Sequence, residues 1–238
     1  MRLAADARIL WTLLRGAARE GSHAQRLEAF YAPQADGYDA FRERLLHGRQ
    51  ELIRQLPVRR GQRVIELGGG TGRNLEFFGP RIHGFASVEV VDLCPALLQV
   101  ASRRADRITA GAPRNIWVIE ADASEYRPAN PPDCVYFSYA LTMIPDWRRA
   151  IDNAVQMLAP GGTLGVVDFH LPQGALSNPL WRAWFGHDGV HLSGEHLPWL
   201  QSRLDTLHCE QLRGKVPFLP GLRAPYYLFI GRKRAPGG

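Results

Sequence analysis

The residues best suited to chemistry are concentrated in one stretch, Val64-Ile65-Glu66-Leu67-Gly68-Gly69-Gly70-Thr71-Gly72. An apolar run enters a turn made almost wholly of glycine, and the missing β-carbons let a ligand lie directly against the backbone. The spacing is not that of the dinucleotide turn G-x-G-x-x-G. Counting from Gly68 and Gly70, the third glycine would fall on Arg73; counting from Gly70 and Gly72, it would fall on Leu75. Downstream, three more apolar runs end in polar residues: Asp92 before Leu93, Asp122 before Ala123, and Ser138 before Tyr139. Each of these, taken alone, also reads as a helix or turn cap. Taken together with the glycine turn, they read as one ligand site built from four strand ends.

Strand ends converge in this way only in a parallel sheet, and the chain has the rhythm for one. Short apolar runs at Arg63 to Leu67, Ser87 to Asp92, Ile116 to Ala121, Cys134 to Ser138 and Thr163 to Phe169 alternate with stretches long enough for crossover helices. The expected fold is α/β: a Rossmann-like, doubly wound, mostly parallel sheet of about seven strands. Thr206 to Leu212 and Tyr226 to Gly231 would supply an antiparallel edge pair, although Pro217, Pro220 and Pro225 crowd their connection. Residues 61–238 form this domain, and residues 1–60 read as a helical extension covering it. Within residues 1–20, Leu3, Ala7, Ile9, Leu10, Leu13, Leu14 and Ala17 fall on one arc, with Arg8, Thr12, Arg15 and Arg19 opposite. Such a helix packs on the domain or lies in a membrane interface.

Composition narrows the chemistry. Of 29 basic residues only Lys215 and Lys233 are lysines, and neither follows a glycine-rich turn, which excludes P-loop nucleotide hydrolysis and argues against Schiff-base catalysis. A net charge of +6 favours anionic partners, nucleic acid or acidic lipid. Cys94, Cys134 and Cys209 form no C-x-x-C pair, so buried thiols in a reducing, cytoplasmic setting are expected rather than a zinc site. No apolar run approaches a membrane span, and Ile9 to Leu14 is too short for a signal-peptide core. His187, His191 and His196, with Asp188 and Glu195, would suit a metal only on a helix; Gly189 and Gly194 argue for a loop, so no metal is expected.

The order E-x-G-x-G-x-G, followed by acids at the second and third strand ends, resembles the class I S-adenosylmethionine-dependent methyltransferases. The resemblance implies S-adenosyl-L-methionine as cofactor. Glu66 would then serve its methionyl amino end, Gly68 and Gly70 its bulk, and Asp92 with Leu93 its ribose, since a carboxylate accepts from both hydroxyls. Asp122 and Ala123 would meet the adenine, and Ser138 would complete the rim. The DNA amino-methyltransferases carry D-P-P-Y or N-P-P-Y at the fourth strand end, where this chain has Ser138-Tyr139-Ala140-Leu141, so nucleic acid is not the expected partner.

A second resemblance covers Phe30 to Gly231. The runs Phe30-Tyr31-Ala32-Pro33-Gln34, Gly37-Tyr38-Asp39, Arg44-Leu45-Leu46-His47-Gly48-Arg49 and Leu141-Thr142-Met143-Ile144-Pro145-Asp146-Trp147 look like those of the diacylglyceryl homoserine N-methyltransferases of bacterial betaine-lipid synthesis. So do Val167-Asp168-Phe169, Trp184 to Leu192, and Pro225-Tyr226-Tyr227. This implies three successive methyl transfers to a lipid-borne amine at the inner face of a membrane. Arg44, His47 and Arg49 are then candidates to hold the headgroup carboxylate, and the loop carrying His187 and His191 is a candidate acceptor pocket. Tyr31, Tyr139 and Asp168 are candidates for holding or deprotonating the amine. A phosphatidylethanolamine N-methyltransferase and a non-catalytic, cofactor-binding membrane adaptor are the alternatives.

Overall fold

The computed structural model describes residues 25, 28, 43–172, 181, 192–217 and 221–234. Tyr31, His187, His191 and the helix expected over residues 1–20 lie outside them. The described elements are α1 (Arg49–Gln55), β1 (Arg63–Leu67), a run of 3-10 turns (Arg73–Gly84), β2 (Ser87–Asp92), α2 (Pro95–Ile108), β3 (Ile116–Glu120) and β4 (Cys134–Ser138). They continue with α3 (Trp147–Met157), β5 (Thr163–Phe169), α4 (His196–Arg203), β6 (Leu204–Lys215) and β7 (Arg223–Lys233). The strands form one seven-stranded sheet in the order β3-β2-β1-β4-β5-β7-β6. β1 to β5 are parallel, and β7 runs antiparallel to both β5 and β6.

The apolar runs are continuous rather than alternating because the sheet is covered on both faces. Val64, Val88, Val90 and Tyr136 pack with Leu75, Phe78 and Ile82 on one side. Ile65, Leu67, Val135, Phe137, Leu164 and Val166 pack with Ala150, Ile151 and Ala154 of α3 on the other. All seven residues of β5 are buried. α3 begins where the Asp146 side chain accepts from Arg149 N (3.2 Å), a side-chain cap for one orphan amide of its first turn. α1 lies across β5, with Leu56 and Leu52 filling the space that a side chain at Gly165 would occupy.

Two details depart from the sequence reading. The segment after the glycine turn is a broken run of 3-10 turns, not one regular helix. Gly79 adopts a left-handed φ of 56° immediately before Pro80, whose ring and missing N–H interrupt the ladder. The edge strands are also longer than expected. Pro225 is accommodated inside β7 because β5 pairs only as far as Phe169↔Tyr226; beyond that point the Pro225 carbonyl accepts from His170 N (3.1 Å).

Candidate active site

β1 is flanked by β2 on one side and β4 on the other, and the chain leaves this switch point to opposite sides of the sheet, opening a cleft at the strand C-termini. The cleft has a volume of about 330 Å³, within the range that holds a small ligand. Glu66, Gly68, Gly70, Asp92, Leu93, Asp122, Ala123 and Ser138 all line it, as do Tyr139 and Arg49.

The glycine turn is sterically required. Gly68 has φ 71°, and a β-carbon on it would stand 2.5 Å from Ala140 Cβ; one on Gly69 would stand 2.5 Å from Val90 Cγ1. The bend therefore presses against β2 and β4 and turns its bare backbone toward the cleft. Asp92 reinforces it. Its Oδ2 accepts from Gly70 N (2.8 Å) and its Oδ1 from Cys94 N (2.9 Å), fixing the carboxylate and leaving each oxygen a further lone pair. Burial raises its pKa against the pull of those backbone amides. Asp122 caps a turn, its Oδ1 accepting from Ser124 N (2.7 Å) and Ser124 Oγ (2.6 Å), and the residue borders the cleft.

Glu66, 1% exposed, accepts from Asn74 Nδ2 (2.5 Å) and Tyr136 OH (2.9 Å). Burial lifts its pKa to about 7 despite these two donors, with Arg49 pulling it down and Asp92 pushing it up. Asn74 went unrecognised in the sequence. The available signal was an amide two residues beyond the last glycine of the turn, where it can reach back to the strand-end acid.

Two buried atoms on the cleft wall, Asn74 Oδ1 and Ser138 Oγ, have no hydrogen-bond partner among the described residues. Buried polar atoms are seldom left so, and these mark where a polar ligand completes the wall. The residues fit S-adenosyl-L-methionine: an acceptor pair, Glu66 and Asn74 Oδ1, for an ammonium; Asp92 for a diol; Asp122 and Ser138 for an adenine edge; and bare glycines between them.

The catalytic candidates are placed differently from one another. Tyr139 is the single non-glycine residue with positive φ among those described, at 55°. Its N–H donates to Val167 O (2.8 Å), its ring meets Phe169 edge-on at 4.7 Å, and its hydroxyl donates to His47 O (2.7 Å). Burial, then the charge of Asp168, holds this phenol well above its ordinary pKa, so it tethers the segment leading to Arg49 and is not poised as a base. Asp168 does not line the cleft. Its buried carboxylate accepts from Thr142 Oγ1 (2.7 Å) and Thr142 N (3.2 Å), which pins the loop after β4 from behind, and burial raises its pKa to about 6.

The acceptor candidates also separate. Arg49 is 8% exposed on the cleft wall, with its guanidinium 5.6 Å from the Phe77 ring centroid. His47 faces away from the cleft: its Nε2 donates to Lys215 O (2.8 Å), and its ring stacks on Tyr226 in space left open by Gly214. Arg44 is exposed and outside the cleft lining. Among the described residues no group of three or more metal-ligating side chains converges, and no helix is long and apolar enough to cross a membrane.

With this geometry in place, comparisons with known proteins identify the family. Residues 38–209 match the family model described as "Methyltransferase domain". Ubiquinone/menaquinone biosynthesis C-methyltransferases UbiE are similar: that of Pseudomonas fluorescens (strain Pf0-1) is 27% identical over 171 residues, and that of Pseudomonas entomophila (strain L48) 29% over 172. Each match covers 69% of this chain and 66% of the relative, just under two thirds of its length. Among solved structures, N-methyltransferase NodS from Bradyrhizobium japonicum WM9 in complex with S-adenosyl-L-homocysteine has the same fold. Its TM-score is 0.66 at 21% identity, covering 87% of this chain and 97% of that one. Phosphoethanolamine N-methyltransferase 2 of Haemonchus contortus in complex with S-adenosyl-L-methionine gives 0.67 at 16%, covering 91% and 61%. The family match, over a cleft whose glycine turn and strand-end acids suit the sulfonium donor, makes this chain a member of the methyltransferase domain family, dependent on S-adenosylmethionine.

Proposed function

We propose that the chain methylates the amine of diacylglyceryl homoserine, three times in succession, to give the trimethylated betaine lipid. The observation that carries this reading is the nearly buried guanidinium of Arg49 on the cleft wall, together with the sequence resemblance over residues 30–231. A homoserine headgroup offers a carboxylate beside its amine, and an arginine fork pairs with a carboxylate bidentately.

S-adenosylmethionine, when bound, supplies a methyl group open to in-line displacement from its sulfonium. The chain's own residues hold the acceptor amine in line and neutral. Leu46, Tyr139, Met143, Ile144 and Pro145 give the cleft an apolar wall, which disfavours an ammonium, and the like charge of Arg49 acts in the same direction. The first two transfers each require loss of a proton. With Tyr139 OH committed to His47 O and Asp168 behind the wall, that proton passes to water at the cleft mouth. Much of the acceleration then comes from positioning. The net charge of +6 supports approach to an anionic lipid surface, the proposed workplace of the enzyme.

A second reading, C-methylation of a quinol-type ring, is favoured by the names of the UbiE relatives; such a ring would give Arg49 no carboxylate to pair with. Incubation with methyl-labelled S-adenosylmethionine and lipid extracts separates the readings. Label entering lipid only when diacylglyceryl homoserine is present is the expected result. Label entering a prenylated quinol or phosphatidylethanolamine instead contradicts the proposal, and cofactor binding without transfer to any acceptor would make the chain an adaptor.

A further inference from the structure

A second cavity, about 390 Å³ in volume, opens at the pole of the sheet opposite the cofactor cleft and is bordered by Val58, Arg60, Pro80, Arg81, His83 and Phe85. β1 and β2 run from this pole to the glycine turn, and five residues of strand separate the two sites by roughly 17 Å. The floor, Val58 and Phe85, is buried and apolar; the rim, Arg60, Arg81 and His83, is exposed and carries no acid. None of Arg60, Arg81 or His83, nor the adjoining Arg59, takes part in an ion pair among the described residues. Elsewhere on this surface some arginines find acids: Arg54 pairs with Glu51, Arg149 with Glu125, Arg203 with Asp152 and Arg234 with Asp205.

The cradle is also built rigidly. Gly61 N donates to Gly84 O (2.7 Å) and Ala86 N to Gln62 O (2.9 Å), joining the two loops. Asn115 Nδ2 reaches both Ile82 O (2.7 Å) and Phe85 O (3.1 Å), tying the second loop down from beneath. The Gly79-Pro80 break turns the chain so that Arg81 doubles back and donates from Nη2 to Val58 O (3.2 Å), which fixes its guanidinium over the floor. The Arg60 stem crosses Gly84, where a β-carbon would already stand 3.4 Å from its Cγ.

We propose that this cavity is a binding site for a phosphate ester, with the cationic rim holding the phosphate and the apolar floor taking the substituent it carries. Guanidinium groups match phosphate oxygens with paired donors, and a concave setting without competing carboxylates concentrates their field on an anion. The same chemistry is offered by a soluble phosphate ester and by a phospholipid headgroup.

The experiment uses full-length protein saturated with S-adenosylmethionine, so that the cofactor cleft is filled. Glycerol phosphate is titrated in by calorimetry, and phosphatidylglycerol vesicles are tested by co-sedimentation against phosphatidylcholine vesicles. The variants are Arg60→Gln, Arg81→Gln and the pair; Arg60→Gln leaves the Arg81 to Val58 bond intact and guards against a folding artefact. The expected result is binding that weakens with salt and falls about tenfold or more in Arg60→Gln, with S-adenosylmethionine affinity unchanged. Loss of glycerol phosphate binding in the variants assigns a soluble ligand; loss confined to the anionic vesicles assigns a lipid headgroup. No binding in either arm, or binding equal in wild type and variants, overturns the site.

Discussion

Asp92→Ala abolishes measurable binding of S-adenosylmethionine in calorimetry. Two losses add in this variant. A carboxylate accepting from both ribose hydroxyls makes two charge-assisted hydrogen bonds, each worth about 1.5–3 kcal/mol, so their removal weakens binding by roughly two to four orders of magnitude. The same substitution also leaves Gly70 N and Cys94 N without their acceptor, and the turn that presents the bare backbone loses its brace. Asp92→Asn keeps the shape and one acceptor oxygen but sets its NH2 against either Gly70 N or Cys94 N, so it is expected to retain weak binding and to melt below wild type. Wild-type affinity in Asp92→Ala would show that the ribose is not held there.

Glu66→Gln moves stability and binding in opposite directions, and pH reveals it. The Glu66 carboxyl is lifted from an ordinary 4.5 to about 7 by burial, so the folded state favours the protonated acid. A carboxyl raised in this way contributes most to stability below pH 4.5, and the contribution is lost as pH rises to 7. Above that the buried carboxylate costs about 3 kcal/mol. Glutamine carries no charge at any pH and still accepts from Asn74 Nδ2. At pH 8 the variant should therefore melt roughly 6–12 °C above wild type, with the difference vanishing near pH 4.5. Asp168, raised by burial to about 6, titrates in both proteins and drops out of the comparison. Binding runs the other way. In wild type, S-adenosylmethionine affinity should rise between pH 6 and 8 as Glu66 ionises toward the methionyl ammonium, whereas the variant should bind more weakly and without that slope. Identical melting profiles, or a parallel slope in the variant, would contradict this role.

The cofactor wall was legible in the sequence because it is made of strand ends. A parallel strand announces its end by the switch from apolar to small or polar residues, and its end is where a ligand sits, so the positions of Asp92, Asp122 and Ser138 follow from local pattern, while Glu66 is picked out by the resemblance carried in E-x-G-x-G-x-G. What lay beyond reach was the direction of side chains governed by contacts distant in the chain. His47 shares a short run with Arg49, yet the left-handed Gly48 between them sends the imidazole onto Gly214 and Tyr226 and the guanidinium into the cleft. Asp168 occupies a strand end as expected but is claimed by Thr142, and the Tyr139 hydroxyl is claimed by a carbonyl 92 residues earlier. Asn74 is marked in the sequence only by its place two residues beyond the last glycine of the turn, a signal that gains meaning once its partner, Glu66, is seen to be buried.

The most direct test is a crystal structure of the protein with S-adenosylhomocysteine. The expected density lies along Gly68 to Gly70, with the ribose hydroxyls within hydrogen-bond distance of Asp92, the amino end against Glu66 and Asn74 Oδ1, and the adenine between Asp122 and Ser138. Density for the ligand elsewhere, or a cleft closed by the chain's own residues with Asp92 out of reach of the sugar, would contradict the account.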